Sequence, residues 1–224
     1  MNHISELAQL GTSTWLDDLS RERLVSGNLK EIISTKSIVG VTTNPAIFAA
    51  AMTNGTAYDA ELATLKESKA SADEAVYALA IEDVQNACDL FADIYSSTDG
   101  ADGRVSIEVD PRISDDPTAT LEQARELWSK VDRPNVMIKI PATTGSLPAI
   151  EDALAEGISV NVTLIFSVER YRAVIEAFRT GLKRAAESGK DVATIHSVAS
   201  FFVSRLETEV DKLLEAIGGE QALA

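Results

Sequence analysis

A βα barrel is the fold this sequence predicts, and three observations predict it. Short β-branched runs alternate with longer amphipathic segments from one end of the chain to the other, the pattern of βα units around a parallel sheet. Two of those runs pair an apolar face with a polar one: Val105, Ile107 and Val109 against Ser106, Glu108 and Asp110, and Ile158, Val160, Val162 and Leu164 against Ser159, Asn161 and Thr163. In an antiparallel sheet the polar face would be wet. Helices that follow each strand instead cover the outer apolar face and leave the polar groups pointing inward, where a closed barrel gathers them at its mouth. The third observation is negative: no GxGxxG follows the first strand and no GxxxxGK[ST] occurs. The doubly wound nucleotide-binding sheet, which the same alternation allows, therefore lacks its phosphate-cradling loops.

The strands expected in order are Ser13–Leu16, Val39–Thr42, Val105–Val109, Val136–Ile140, Ser159–Leu164 and Thr194–Val198. Between them the 3.6-residue periodicity predicts helices over Arg23–Ser34, Asp73–Tyr95, Ala119–Val131, Ser146–Glu156, Val168–Ala186 and Phe202–Ile217, with a further short helix inside Ala50–Ala70. Ser71 with Glu74, and Thr118 with Leu121 and Glu122, supply helix starts of the capping type. Gly157 and Gly218 stand where a left-handed helix stop is favoured. No low-complexity linker interrupts the series, so residues 1–224 read as one domain.

Composition narrows the function classes. At 224 residues and 45% hydrophobic content the chain can bury a sizeable core. A net charge of −15 opposes binding to nucleic acid or an anionic membrane, both of which need clustered Lys and Arg. The N-terminus, MNHISELAQLGTSTWLDDL, shows no basic region followed by an apolar block, and no apolar run reaches the ~20 residues of a membrane span. A soluble protein of the cytoplasm is expected. The single cysteine, Cys88, sits in a helical pattern and fits a reducing compartment, and the two histidines, His3 and His196, form no zinc-ligand spacing.

Within the stretch VMIKIPATTG, Lys139 shares a strand face with Met137, while Val136, Ile138 and Ile140 share the other. If the latter three pack against helices, Lys139 points into the barrel. Confinement there penalises the ammonium form and makes a neutral amine available to attack a carbonyl as a Schiff-base nucleophile. The competing reading is a lysine paired with Glu108 purely for structure, or one that guards a sheet edge. Asp17 ends the first strand beside Asp18, and one of the two points inward; a carboxylate there is a general-base candidate, or else a helix cap. Glu108, Asn161 and Thr163 are inward polar positions able to move protons or orient a polyhydroxylated ligand, or to satisfy one another in a buried network. TTNPAIF opens on a strand end and an Asn-Pro turn in which Asn44 can bond its own backbone. In SFFVSR, Ser200 and the helical amides after it can hold an anion and Arg205 can add charge-assisted bonds; the alternative is an ordinary cap.

Taken together, WLDD, GVTTNPAIF, VSIEVDP, VMIKIPAT, VNVTLIFS and SVASFFVSR resemble the transaldolase family, in order and across essentially the whole chain, with details closest to the longer bacterial type. The resemblance implies a class I aldolase-like (β/α)8 barrel of the TIM type that moves a dihydroxyacetone unit from a ketose phosphate, such as sedoheptulose 7-phosphate or fructose 6-phosphate, to an aldose phosphate in the pentose phosphate pathway. It implies Lys139 as Schiff-base nucleophile, Asp17 as the base that takes the donor C4 hydroxyl proton, and Glu108 with Thr163 around the water of imine formation and hydrolysis. It implies Asn44, Ser106 and Asn161 at the dihydroxyacetone moiety, Ser200 and Arg205 on the phosphate side, and Phe202 as an aromatic wall. No cofactor or metal is implied.

One departure stands out. Six strand candidates are present where the family barrel has eight, and a further phosphate-binding arginine that the family takes from its seventh strand region has no counterpart. A barrel of about six βα units, C-terminally incomplete, is expected to leave edges open at its first and sixth strands and to invite self-association. Fructose-6-phosphate aldolase activity, or an inactive fragment with a structural role, are the competing functional readings.

Overall fold

The computed structural model describes residues 3–43 and 56–218. Its centre is one six-stranded, wholly parallel sheet in the order β1 (Thr14–Leu16), β2 (Ile38–Thr42), β3 (Arg104–Glu108), β4 (Val136–Pro141), β5 (Val160–Ile165) and β6 (Ser197–Phe201). Helices join successive strands, and the sheet curls into a half-barrel whose first and last strands pair with no further strand among the described residues. The helices are α1 (His3–Gln9), α2 (Arg21–Val25), α3 (Asn28–Lys36), α4 (Asp59–Glu67), α5 (Ala72–Leu90), α6 (Ala92–Ser97), α7 (Pro117–Val131), α8 (Leu147–Ala155), α9 (Val168–Glu187) and α10 (Val203–Ile217). None of the described helices is long and apolar enough to cross a membrane.

The expected separation of faces is present. Val105, Ile107, Val136, Ile138, Ile140, Val160 and Val162 are all buried in one core with Leu127 and Val131 of α7, Ile150 and Leu154 of α8, and Val174 of α9. Each such side chain stabilises the fold by ~1.5–3 kcal/mol relative to exposure, so the outer face of the sheet fixes register, and register fixes which side chains point inward. Gly181 permits a close helix pair. A Cβ there would lie 2.7 Å from the Glu151 carbonyl oxygen and 2.7 Å from Leu154 Cβ, so α9 and α8 touch backbone to backbone at that point.

Behind β1 and β2 a buried polar network ties three helices. Arg21 of α2 donates through its guanidinium to Asp83 of α5 and Glu61 of α4, and its backbone N–H donates to the Tyr58 hydroxyl at 3.0 Å. Tyr58 in turn donates to Asp83 Oδ2 at 2.7 Å. Cys88 is buried on α5, where burial pushes its thiol well above its ordinary pKa, as befits an inert core residue.

Several expected boundaries are corrected. The sixth strand is Ser197–Phe201, not Thr194–Val198, because Asp191 caps a 3₁₀ turn over Val192–Thr194 and delays the strand by three residues. The single helix expected over Arg23–Ser34 is two, divided at Ser26 and at Gly27 with φ 76°. Asp73–Tyr95 is likewise divided at Phe91. The Ser71–Glu74 capping box is formed, whereas α7 is capped by Asp116, which accepts from Thr118 and Ala119 N–H, and Thr118 sits inside the helix. Gly157 and Gly218 both take positive φ after their helices. The helix α1 was not expected, and the short helix foreseen within Ala50–Ala70 is α4, part of that range lying outside the described residues.

Candidate active site

The inner face of the half-barrel converges on one cleft of about 470 Å³, lined by Trp15, Asp17, Thr42, Lys139, Asn161, Thr163, Ser200 and Phe202 among others. β4 supplies its centre. Val136, Ile138 and Ile140 pack outward, so Lys139 points inward and is 7% exposed. Its Nζ donates to the Thr43 carbonyl at 3.0 Å and lies 3.3 Å from Glu108 Oε2, its register neighbour on β3. That carboxylate oxygen is buried within ion-pair distance but has no hydrogen bond of good geometry.

Burial, the largest effect, lifts the Glu108 carboxyl above its ordinary pKa, the Lys139 charge and its contact pull it back, and the charge of nearby Asp17 pushes the same way as burial. A carboxyl so placed can hold a proton into the range where a free glutamate has lost it. On β5, Thr163 lines the same cleft as Lys139; it is 1% exposed and its Oγ1 has no hydrogen-bond partner among the described residues.

A chain of hydrogen bonds crosses the inner face. Ser200 Oγ donates to Asn161 Oδ1 at 2.9 Å, and Asn161 Nδ2 donates to Ser106 Oγ at 3.0 Å. The amide is thereby fixed in one orientation from β3 to β6, the condition for reading a hydroxylated ligand. At the end of β1 the two adjacent acids separate as alternation requires: Asp18 is held by the Arg23 guanidinium, while Asp17 lines the cleft. Phe202, which precedes α10, forms the cleft's aromatic side, and the Arg205 guanidinium lies over its ring at 4.6 Å. Among the described residues no carboxylate comes within ion-pair distance of Arg205, so an exposed cation stands at the rim.

Lys139, Asp17, Asn161, Thr163, Ser200 and Phe202 thus meet in the cleft, with Glu108 and Ser106 against its floor and Arg205 outside it on Phe202. Asn44 lies outside the described residues. Its neighbour Thr43 is placed: the Thr43 N–H donates to the Ser106 carbonyl at 3.3 Å, and its own carbonyl accepts a hydrogen bond from Lys139 Nζ. Sequence reasoning did not single out Trp15. A Cβ on Gly40 would sit 2.6 Å from the Trp15 ring, so the indole lies flat against β2 and walls the cleft. The glycine inside the GVTT strand was the signal, since a strand-interior glycine marks a close approach.

The cleft thus brings together an inward lysine, a buried carboxyl whose pKa is raised, a second carboxyl in the same cleft and an exposed guanidinium outside it, groups of the kinds used to attack a carbonyl and move protons. The comparisons point the same way. Residues 14–223 match the family described as Transaldolase/Fructose-6-phosphate aldolase. The chain is 59% identical over 222 residues to a protein named Transaldolase in Mycolicibacterium paratuberculosis, covering 99% of the chain and 60% of that relative. Proteins of the same name in Mycolicibacterium smegmatis and Kocuria rhizophila are each 58% identical, over 99% and 98% of the chain and 60% of their own lengths. The chain therefore spans about 60% of the length of the curated relatives it matches. With a match to the family model over residues 14–223 and relatives named Transaldolase 58–59% identical over nearly every residue, this chain belongs to the transaldolase/fructose-6-phosphate aldolase family.

Proposed function

We propose that this chain carries the Schiff-base centre of a transaldolase, which moves a dihydroxyacetone unit from a ketose phosphate to an aldose phosphate. The observation that carries the reading is Lys139, buried on the inner face at 3.3 Å from Glu108 and facing a cleft that Asp17 also lines. In this scheme the neutral Lys139 amine adds to the ketose carbonyl. Glu108, with Thr163, manages the water that leaves as the imine forms and returns when it is hydrolysed. The protonated imine draws electrons from the C3–C4 bond while Asp17 takes the C4 hydroxyl proton. The aldehyde departs, and the three-carbon enamine stays bound to Lys139 until an acceptor aldehyde arrives. The imine itself is the electron sink, so the scheme calls on no cofactor.

Asn44, Ser106 and Asn161 hold the dihydroxyacetone hydroxyls in this reading, and Ser200 and Arg205 take the phosphate end beside Phe202. The corresponding setting is the pentose phosphate pathway in the cytoplasm. The family description names a second activity, fructose-6-phosphate aldolase, whose mark is release of free dihydroxyacetone.

The test is incubation of the whole chain with fructose 6-phosphate and borohydride, followed by mass spectrometry. A dihydroxyacetone- or hexose-sized adduct mapped to Lys139, absent from Lys139→Ala, is expected. An undiminished adduct in folded Lys139→Ala, or none in the folded natural chain, would remove the proposal.

A further inference from the structure

β5 contains one residue more than its partner. Val162 stands opposite Ala199 and Ile165 opposite Phe201, so three steps on β5 match two on β6. The surplus is taken up at Leu164, whose φ of 60° is a left-handed conformation that L residues adopt at an energetic cost. The bulge reverses the alternation. From Asn161 and Thr163, strict alternation would turn Ile165 inward and Phe166 outward. Instead Ile165 is fully buried in the outer core and Phe166, 42% exposed, emerges beside Phe202. The two strands stay in step past the bulge, because the Phe202 N–H donates to the Ile165 carbonyl at 3.0 Å. Phe166 and Phe202 consequently stack, their centroids 5.6 Å apart and their planes 22° from parallel. The same Phe202 ring lies under the Arg205 guanidinium.

We propose that Phe166 is a positioning residue for the phosphate end of the substrate: by stacking on Phe202 it fixes the ring on which Arg205 rests, and so sets where that guanidinium meets the phosphate. The inference rests on the reading of Ser200 and Arg205 as the phosphate side. It gives the bulge a purpose. A residue inserted at an unfavourable backbone angle in the strand next to the cleft brings an otherwise core-facing ring to the rim, where ordinary alternation would have left the Phe202–Arg205 pair unsupported.

Phe166 is half exposed, so Phe166→Ala is expected to fold, with circular dichroism as the check; Phe166→Leu, which keeps the apolar bulk but not the ring, serves if it does not. Inorganic phosphate is titrated into the natural chain and each variant, and binding is followed by the side-chain Nε–H resonance of Arg205, assigned by its loss in Arg205→Lys. The natural chain is expected to bind phosphate, Phe166→Ala and Phe166→Leu to bind it roughly five- to tenfold more weakly, and Phe166→Tyr, which keeps the stack, within about twofold. In the borohydride assay, the half-saturating concentration of fructose 6-phosphate should rise in Phe166→Ala while that of unphosphorylated dihydroxyacetone stays unchanged. Equal phosphate affinity in Phe166→Ala and the natural chain overturns the role of Phe166 alone. A natural chain that gives no phosphate response at Arg205 overturns the phosphate-side reading and this inference with it.

Discussion

At the scale of single residues, the question is whether the Lys139–Glu108 pair is there for stability or for chemistry. Buried pairs kept for structure need their remaining donors and acceptors satisfied, because desolvation otherwise outweighs the attraction. Here, among the described residues, Glu108 Oε2, 3.3 Å from Lys139 Nζ, and Thr163 Oγ1 are both buried without a hydrogen bond, and Thr163 lines the cleft. Other unsatisfied buried atoms, on Arg21, Glu61 and Arg104, lie away from the cleft, but Thr163 Oγ1 stands where a ligand would meet it, beside the cleft-lining Lys139, which favours chemistry at this pair. A pH prediction follows from the direction of the Glu108 shift. Its folded pKa is raised, so the protonated form persists above the ordinary glutamate range and is lost as pH rises through the raised value. If that proton assists loss of water from the carbinolamine, imine formation falls along an alkaline limb set by Glu108. Glu108→Gln is expected to slow borohydride-trapped adduct formation by ~10²-fold or more and to abolish that limb, read from trapping rates across pH. A limb that persists unchanged in Glu108→Gln would reassign it. The inward turn of Lys139 was legible because three apolar residues claim the opposite face. Which of Asp17 and Asp18 enters the cleft was not legible from alternation, which says only that one does; the family resemblance pointed to Asp17, and in the structure Arg23 holds Asp18 while Asp17 lines the cleft.

At the scale of elements, strands whose outer faces are continuously apolar were read to within a residue or so, since burial against a helix dictates both their position and their register. The misreadings fall where several segments have equal claims. Around IHSVASFF both ends are β-branched or aromatic, and a 3₁₀ turn capped by Asp191 chose between them. The β5 bulge was not read: NVTL alternates, the apolar run LIF that follows breaks the pattern without naming a cause, and the bulged residue is a leucine rather than a glycine. Gly181 sets propensity against packing. By helix propensity alone Gly181→Ala in the interior of α9 gains about 1 kcal/mol. The added Cβ, however, would meet the Glu151 carbonyl oxygen and Leu154 Cβ, both at 2.7 Å, and separating two packed helices costs ~1–3 kcal/mol. Packing wins, so Gly181→Ala is expected to lose about 1 kcal/mol in urea denaturation, and a gain would show that α8 and α9 are not in backbone contact.

At the scale of the whole molecule, what distinguishes this chain is uncovered surface. Among the described residues β1 and β6 have no outer strand partner, and α10, which follows β6, buries none of its residues. Its apolar side chains Val203, Leu206, Val210, Leu213 and Ile217 are spaced 3-4-3-4, the seam of a helix that packs on another helix, yet Leu213 is 65% exposed and Ile217 75%. The open edges were expected from the count of six strands, whereas the uncovered face of α10 was not. The periodicity was visible in the sequence, but a stripe reads the same whether its own core covers it or nothing does. We propose self-association through this side of the molecule, and magnitudes bound its strength. Completing the burial of a half-exposed apolar side chain contributes roughly 1 kcal/mol, so five on each copy of a two-fold contact give about 10 kcal/mol. Association itself costs ~4–15 kcal/mol, which leaves at most a weak, concentration-dependent dimer. Sedimentation velocity from a few to about a hundred micromolar is expected to show species heavier than the 24.0 kDa chain growing with concentration. Leu213→Glu together with Ile217→Lys should return the protein to monomer while leaving the Lys139 adduct intact, since both positions lie on an exposed face of α10 away from the cleft. A monomer at every concentration, or association that the double substitution leaves untouched, would place the contact elsewhere or deny it.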